Sequence, residues 1–241
     1  MRTKNITPIM IALFLVSILG VASIFQVESL RPSDLVGLWH LDEGAGSTAY
    51  DSSSFGNDGT IVGPVAWVDG YKGKALGFNG VSGYVEVPDA PSLDATNGLT
   101  LAAWVYYAGS AAAQHPISKP HPTKEHWSCY MLCIIGDSYD GAKYYLPDSI
   151  LFVLSFDNGD DDILFYTDPM PRNTWTHLAA TYDGHYMKLY INGEEAASKK
   201  CEGKTIITSN YPLYIGTHDS DQPWWKPAFH GNIDEVQVWN V

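Results

Sequence analysis

Basic residues are scarce in this sequence. Its 241 residues include 14 Lys and Arg against 27 Asp and Glu, which gives a formal net charge of -13. A protein that binds a nucleic-acid backbone needs a positive surface, so the charge balance excludes that class of partner. Clustered acidic side chains are instead the ligands that hard cations such as calcium prefer.

Cysteine is also rare, because Cys129, Cys133 and Cys201 are the only three. They form no CxxC pair, which argues against a zinc site. If Cys129 and Cys133 lie on one strand, four positions apart, they are too distant to bridge each other. Two alternatives stay open, namely three buried thiols or one disulfide from either of them to Cys201.

A long apolar run occurs once, from Ile9 to Phe25. Arg2 and Lys4 precede it, and the small residues at 21–23 offer a cleavage site, as in a secretory signal peptide. The run also falls in the lower range of membrane-spanning helices, so an uncleaved amino-terminal anchor is the alternative.

Both alternatives give the same division of the chain. Residues 1–30 are a signal peptide or membrane anchor, and residues 31–241 are one exported domain. The sequence therefore predicts an extracellular or cell-surface protein, either released or attached to the membrane through its amino-terminal segment.

After residue 31 no stretch shows the pattern of a long amphipathic helix. Short runs such as "LTLAAWVYY", "SILFVLSF" and "YMKLYING" are β-branched or aromatic at period two, which indicates half-buried antiparallel strands. Asn158-Gly159 and Asn192-Gly193 are typical of tight hairpin turns. The pattern predicts an all-β, two-sheet antiparallel jelly-roll sandwich.

Two regions interrupt the strand pattern. Residues 108–127 hold three prolines together with His115, His121 and His126. This composition predicts a long surface loop with solvated histidines, and a metal cluster is the less favoured alternative. Residues 218–231 form a second predicted loop.

Six ordered sequence blocks carry a resemblance to a known family. They are "LWHLDEGAGSTAYDSSSFGNDGTIVG", "GKALGFNGVSGYVEVPDAPSLD", "LTLAAWV", "WTHLAATYDGHYMKLYINGEEAAS", "LYIGT" and "FHGNIDEVQVWN". In this order they resemble LamG-like jelly-roll domains of the concanavalin A-like lectin/glucanase fold. The resemblance implies two curved antiparallel sheets, a frequent calcium site, and a role as a carbohydrate-binding or adhesion module on exported proteins.

The carboxylate pattern of the glucanases of this fold is absent. Those enzymes place acid and nucleophile at alternate positions of one strand, so that both project to the same side. Here Asp234 and Glu235 are adjacent, which on a regular strand directs them to opposite faces. We therefore expect no enzymatic activity, and a divergent glycoside hydrolase is the least favoured function.

Six of the eight tryptophans fall into two groups. Those within strand-like stretches are predicted to pack in the core; they are Trp39, Trp104, Trp175 and Trp239.

The other group lies in the second predicted loop. Trp224 and Trp225 are flanked there by prolines, with Asp219 and Asp221 nearby. Indole faces can stack on a sugar ring while the carboxylates accept its hydroxyls, so these four residues are a candidate ligand site. The alternative is that one tryptophan plugs the end of the sandwich.

The stretch "DSSSFGNDGT" raises the question of a metal site. In the resembling family, the equivalent turn and the "GxIDEV" strand frequently hold calcium, which implies Asp51, Asn57 and Asp234 as ligands, with Glu43 a weaker candidate. The alternative is that Asp51 and Asn57 only bond their own backbone as Asx turns. Calcium is therefore the expected cofactor, in a structural role.

These expectations combine into one functional hypothesis. The chain is an exported, non-catalytic module whose partner is a glycan or another cell-surface ligand, supported by calcium. The alternative is a membrane-anchored structural or adhesive domain that binds other proteins.

Overall fold

The computed structural model describes residues 31–110, 112–121, 128–137, 146–218 and 228–241. The predicted signal or anchor segment, residues 1–30, lies outside these ranges. Among the residues described, no helix is long and apolar enough to cross a membrane.

About half of the described residues lie in strands, which are joined by turns, loops and two single 3-10 turns at Pro32–Asp34 and Pro91–Leu93. In chain order the strands are β1 (Leu35–Trp39), β2 (Thr48–Ala49), β3 (Gly59–Val62), β4 (Ala66–Asp69), β5 (Lys74–Asn79), β6 (Tyr84–Val87), β7 (Leu99–Tyr107), β8 (Gln114–Lys119), β9 (Tyr130–Ile134), β10 (Ile150–Ser155), β11 (Asp161–Tyr166), β12 (Trp175–Tyr182), β13 (Tyr186–Ile191), β14 (Glu194–Lys200), β15 (Leu213–Ile215) and β16 (His230–Asn240).

The strands form two eight-stranded antiparallel sheets. Sheet A has the order β14-β13-β12-β7-β16-β5-β4, with β1 paired to β16. Sheet B has the order β11-β10-β9-β8-β15-β6-β3-β2. Hairpin-connected strands alternate with neighbours that are distant in sequence, such as β7 and β16 or β8 and β15, as in a jelly roll. The predicted all-β sandwich is confirmed.

The core lies between the sheets and follows the period-two pattern on most strands. On β12, buried and half-buried residues alternate along the whole strand. The largest side chains enclosed in the core include Trp39, Leu76, Phe152 and Phe229. Burying an aliphatic or aromatic side chain of this size contributes roughly 1.5–3 kcal/mol, so this layer supplies the main stabilisation of the sandwich.

The predicted hairpin turns are confirmed. Asn192 and Gly193 both have positive φ, 51° and 86°, the conformation that a two-residue hairpin loop of the primed type needs. Gly159 has φ of 88°, and the Asn158-Gly159 turn connects β10 to β11.

Strands β9 and β10 depart from the half-buried pattern, because both of their faces are buried. Alternate residues point into the core, and the others enter a second apolar cluster on the opposite face of sheet B. Its members are Ala113, Met131, Cys133, Ile135, Leu151 and Val153. Continuous apolar runs such as "ILFVLS" are typical of strands covered on both faces.

The prediction of a surface loop over residues 108–127 is wrong, because β8 lies within it and is fully buried. A register shift between Gln114 and Ile117 admits Pro116, since a bulge tolerates a residue without an amide donor. The Lys119 ammonium is buried against Asp89. Buried polar groups of this kind are tolerated when they are paired.

The histidines of this segment are correspondingly not a solvated set. His115 is fully buried on β8, and its ring lies 5.1 Å from the ring of His218. Burial, and secondarily His218, lower the pKa of His115 well below its usual value. His121 is half-buried, and His126 lies outside the described residues.

The three cysteines are free thiols, and all three are buried. The disulfide alternative is therefore wrong, and the buried-thiol alternative is confirmed. Burial raises the pKa of Cys133 to about 12, so this thiol is not a nucleophile at neutral pH.

Candidate functional site

The Asp51 turn uses its own carboxylate as a hydrogen-bond acceptor. Asp51 Oδ1 accepts from the backbone N–H groups of Leu38 (2.9 Å) and Ser53 (2.8 Å). Its Oδ2 accepts from the Ser53 hydroxyl (2.6 Å) and the Asn57 N–H (2.8 Å). These are the bonds of the Asx-turn alternative, extended to tie the turn to β1.

Asn57 is buried and joins the same turn to the core. Its side-chain amide donates to the Val36 carbonyl (2.7 Å) and to the Ser92 hydroxyl (3.0 Å). Its carbonyl accepts from Trp39 Nε1 (2.9 Å). Asn57 therefore joins its turn to two other segments, β1 and the Pro91–Leu93 turn, through ordinary hydrogen bonds.

The Asp51 turn and Asp234 lie on opposite sides of β1. Trp39 forms a β-bridge with Asp51 and pairs on its other side with Val236 of β16. The structure therefore does not join the two motifs into one ligand set.

Asp234 lies in a β-bulge of β16. The register with β7 shifts between Asp234 and Gln237, and Glu235 has a positive φ of 49°. Asp234 is 0% exposed. Its Oδ2 accepts from the Lys72 N–H (2.9 Å), whereas its Oδ1 is buried and has no hydrogen-bond partner among the described residues.

The environment of Asp234 disfavours its negative charge. Burial raises the pKa of its carboxyl to about 6, and the nearby carboxylates of Glu235 and Asp42 act in the same direction. The Lys72 N–H opposes the shift but does not cancel it. Such a carboxylate gains from a cation placed beside it.

The bulge also corrects the expectation that Asp234 and Glu235 point apart. Glu235 accepts from Lys72 Nζ (2.8 Å) and contacts His40 Nδ1 (2.9 Å). Lys72 therefore contacts both carboxylates, one through its backbone and one through its ammonium. The period-two rule fails here because the bulge interrupts the regular strand.

The turn of residues 70–74 forms one wall of this site. It is closed by a hydrogen bond from the Gly70 N–H to the Gly73 carbonyl (3.0 Å). A Cβ on Gly70 would lie 2.4 Å from the Lys74 carbonyl oxygen and 2.6 Å from Asp234 Oδ2. Only glycine allows this approach of backbone to carboxylate.

Asp42 lies against the same turn, and Glu43 follows it in the chain. Asp42 Oδ1 accepts from the Lys74 N–H (2.6 Å). Glu43 Oε1 accepts from the Tyr50 N–H (2.8 Å), while its Oε2 is buried without a hydrogen-bond partner in the described residues. Two of the four predicted metal ligands, Asp234 and Glu43, thus have an oxygen available, and Asp51 does not.

The ligand atoms available at this site restrict which metal ion could bind. Over the ranges that the structure describes, no three His, Cys, Asp or Glu side chains form a group that could hold an ion. A cation here would need backbone carbonyls of the 70–74 turn beside the carboxylates. Calcium accepts such mixed oxygen ligands, whereas zinc prefers nitrogen and sulfur ligands.

The strand tryptophans are only partly in the core. Trp39 is buried, as predicted. Trp104, Trp175 and Trp239 are half-buried on β7, β12 and β16, so the prediction that they pack in the core is wrong. The period-two pattern shows which residues share a face but not which face is covered.

The predicted ligand residues Trp224, Trp225, Asp219 and Asp221 lie outside the described residues. The chain on either side of that segment lines a pocket of about 220 Å³. The residues that line this pocket include Tyr84, Tyr214, Thr217, His218 and Ala228.

Lys72 and the 70–74 turn are functional features that were not predicted from the sequence. The available signal was "DGYKGK", in which two glycines three positions apart indicate a tight turn. Its proximity to Asp234 depends on the pairing of β5 with β16, which the local sequence does not reveal.

Comparisons with known proteins agree with this fold. The family model described as concanavalin A-like lectin/glucanases superfamily, of laminin G type, matches residues 79–241. A comparison with curated proteins finds no match.

Among solved structures, domain 4 of AbnA, a GH43 extracellular arabinanase from Geobacillus stearothermophilus, in complex with arabinotriose, has a TM-score of 0.64. It is 24% identical, over 86% of this chain and 92% of that one.

Two toxin binding domains are also similar, and the chain spans about half the length of each. The binding domain of Paraclostridial Mosquitocidal Protein 1 has a TM-score of 0.63 at 13% identity, over 87% of this chain and 49% of that one. The binding domain of Botulinum Neurotoxin DC, in complex with SialylT, has a TM-score of 0.62 at 14% identity, over 87% and 48%. These identities show a common fold. Since the family model covers more than half of the sequence, the chain belongs to the concanavalin A-like lectin/glucanase superfamily.

Proposed function

We propose that the protein is an exported, non-catalytic module that binds carbohydrate and is supported by calcium. The observation that carries the proposal is the fold, matched over 86% of the chain by a domain whose structure holds arabinotriose. The superfamily match and the acidic charge agree with a glycan partner better than with a nucleic acid.

Calcium is assigned to Asp234, Glu43 and the backbone carbonyls of the 70–74 turn. The unpartnered oxygens of the two carboxylates support this assignment. When bound, the cation would offset the buried charge of Asp234. It would also connect the turn to β16 and to the turn that carries Glu43, so binding would stabilise the folded state.

The absence of catalysis is supported by the state of the carboxylates. A glycosidase needs one carboxylic acid and a second carboxylate on either side of an accessible sugar bond. Asp234 is 0% exposed, and Glu235 is engaged by Lys72 and His40. Neither is available to a substrate.

Trp224, Trp225, Asp219 and Asp221 remain the proposed ligand residues of the 218–231 segment. The pocket between Tyr84, Tyr214 and His218, beside the ends of this segment, supports a ligand at that place. The Trp224→Ala/Trp225→Ala double variant should lower glycan affinity about 5- to 100-fold. Unchanged affinity in a normally folded double variant would assign these tryptophans to packing.

Export is proposed from the amino-terminal sequence. Cell fractionation with sequencing of the mature amino terminus distinguishes a cleaved signal peptide from a retained anchor. Finding full-length protein soluble in the cytosol would contradict both. A retained anchor combined with protein ligands and no glycan ligand would favour the structural or adhesive alternative.

A glycan array probed with the purified protein tests the proposal as a whole, once with calcium and once with excess chelator. We expect binding to one class of glycan, weakened when calcium is removed. No binding to any glycan under either condition would overturn the proposed function.

A further inference from the structure

The outer face of sheet A carries a group of five aromatic side chains, here called the aromatic strip. Trp104 and Tyr106 lie on β7, Trp175 and His177 on the adjacent β12, and Tyr71 on the 70–74 turn. Trp175 pairs in register with Tyr106, and His177 with Trp104. Residues in register on neighbouring strands share a face, so the two strands present four rings side by side.

The rings of the strip pack against one another. Tyr71 is stacked flat on Trp104, with the ring centroids 3.4 Å apart and an interplanar angle of 11°. Trp175 meets the edges of Tyr71 and Tyr106 at 6.4 Å and 5.7 Å. His177 lies 5.2 Å from Trp104. The strip is therefore a preorganised surface, and its side chains need little ordering on binding.

The side chains of the strip are not part of the core of the sandwich. On β7 the residues that alternate with it, Ala103, Val105 and Tyr107, are fully buried and fill the core. The strip points the other way, and Tyr71 is 51% exposed. The other four rings are half-buried, and partly exposed groups of large aromatic residues usually mark an interaction site.

The polar atoms of the strip are available. Within the described part of the chain, the hydroxyls of Tyr71 and Tyr106 and the indole N–H groups of Trp104 and Trp175 have no hydrogen-bond partner. Burial lowers the pKa of His177, so the imidazole is neutral at pH 7. The strip thus combines flat apolar faces with uncharged donors and acceptors.

This combination selects a class of ligand. An anionic membrane or a nucleic acid would need cationic side chains, and the chain has a net charge of -13. A purely apolar partner would leave the indole and phenol polar groups unpaired. A sugar chain has apolar C–H faces for the rings and hydroxyls for the N–H and O–H groups.

From this geometry we infer that the aromatic strip is a second glycan-binding surface, built to take successive units of an extended, neutral polysaccharide. The inference rests on the proposed carbohydrate function and assigns it to residues other than those proposed in the 218–231 segment. Tyr71 is adjacent to Lys72, whose N–H bonds Asp234, so the exposed ring of the strip stands directly beside the proposed cation site.

Affinity electrophoresis tests the inference, with native gels containing arabinan, xyloglucan, mixed-linkage β-glucan or galactomannan. Tyr71→Ala should raise the dissociation constant of the retarding polysaccharide about 5- to 100-fold, and Tyr71→Ala/Trp104→Ala should remove retardation. Tyr71→Phe keeps the stacking face and loses only the hydroxyl, so it should bind much more tightly than Tyr71→Ala. Tyr186→Ala is the matched control, because Tyr186 is 42% exposed on β13, which pairs with β12, but at the end of the strand remote from the strip.

The outcomes separate the inference from the proposed function. If a polysaccharide retards the parent, Tyr71→Ala and Tyr71→Ala/Trp104→Ala equally, the strip is not a glycan-binding surface. The proposed carbohydrate function would still hold. A parent that no polysaccharide retards would overturn both. A third outcome is a dimer in sedimentation that Tyr71→Ala dissociates, while glycan binding is unchanged. That result would show that the strip binds a second copy of the chain and would overturn the inference.

Discussion

Asp51 and Asp234 are two acidic residues with opposite environments. The carboxylate of Asp51 accepts four hydrogen bonds from its own turn and from β1. The carboxylate of Asp234 accepts a hydrogen bond from the Lys72 N–H and keeps a buried oxygen without a partner in the described residues. The comparison shows that an oxygen-rich turn is not by itself a cation site. What matters is whether the fold has already used the oxygens.

The largest expected effect concerns Asp51. Asp51→Ala leaves the N–H groups of Leu38, Ser53 and Asn57 without their acceptor, so the free energy of unfolding should fall by about 3 kcal/mol. Chemical denaturation measures it, and the loss should be equal with calcium and with chelator. Asp69→Ala is the control, because Asp69 is 92% exposed and has only a surface ion pair. A loss of unfolding free energy that appears only in the presence of calcium would instead indicate that Asp51 is a calcium ligand.

A pH titration in chelator gives the next effect. The pKa of Asp234 is about 6 in the folded protein and near 3.8 when unfolded, so the folded state binds the proton more tightly between these values. Stability should therefore fall as the pH rises from 4 to 6, by roughly 2 kcal/mol, and stay low above it.

The Asp234→Asn variant isolates this contribution. It should lack that slope and be more stable than the parent at pH 8 in chelator, because no buried charge remains. Parent and variant curves of the same shape, measured by denaturant unfolding at each pH, would show that Asp234 is not in the buried, charge-disfavouring environment described above.

The smallest effect concerns Glu43. Glu43→Gln preserves an acceptor for the Tyr50 N–H but removes the charge from the unpartnered oxygen. Calcium affinity should fall about tenfold, while unfolding in chelator should change by less than about 0.5 kcal/mol. An unaltered calcium affinity would restrict the carboxylate ligands to Asp234.

Local patterns were sufficient to predict much of the fold. The run "LTLAAWVYY" predicts β7 with its observed bounds, Leu99–Tyr107, because alternation and β-propensity are properties of the segment itself. The Asn192-Gly193 turn is equally local, since its two positive φ angles require those residues.

Features that depend on distant partners could not be predicted in this way. Strand β8 contains a proline, a histidine and a lysine, and its burial depends on Asp89 and the bulge at Pro116. The direction of Trp104 and Trp175 depends on which face of sheet A is covered. The proximity of Glu235 to Asp234 depends on a bulge that breaks the period of two.

Calorimetric titration of calcium into chelator-treated protein separates the two regions most directly. The proposed site predicts one calcium per chain in the parent and in Asp51→Asn, which keeps an acceptor oxygen for the turn, and no binding in Asp234→Asn. Binding that is retained in Asp234→Asn and lost in Asp51→Asn, with both variants folded, would contradict the assignment of the cation to Asp234.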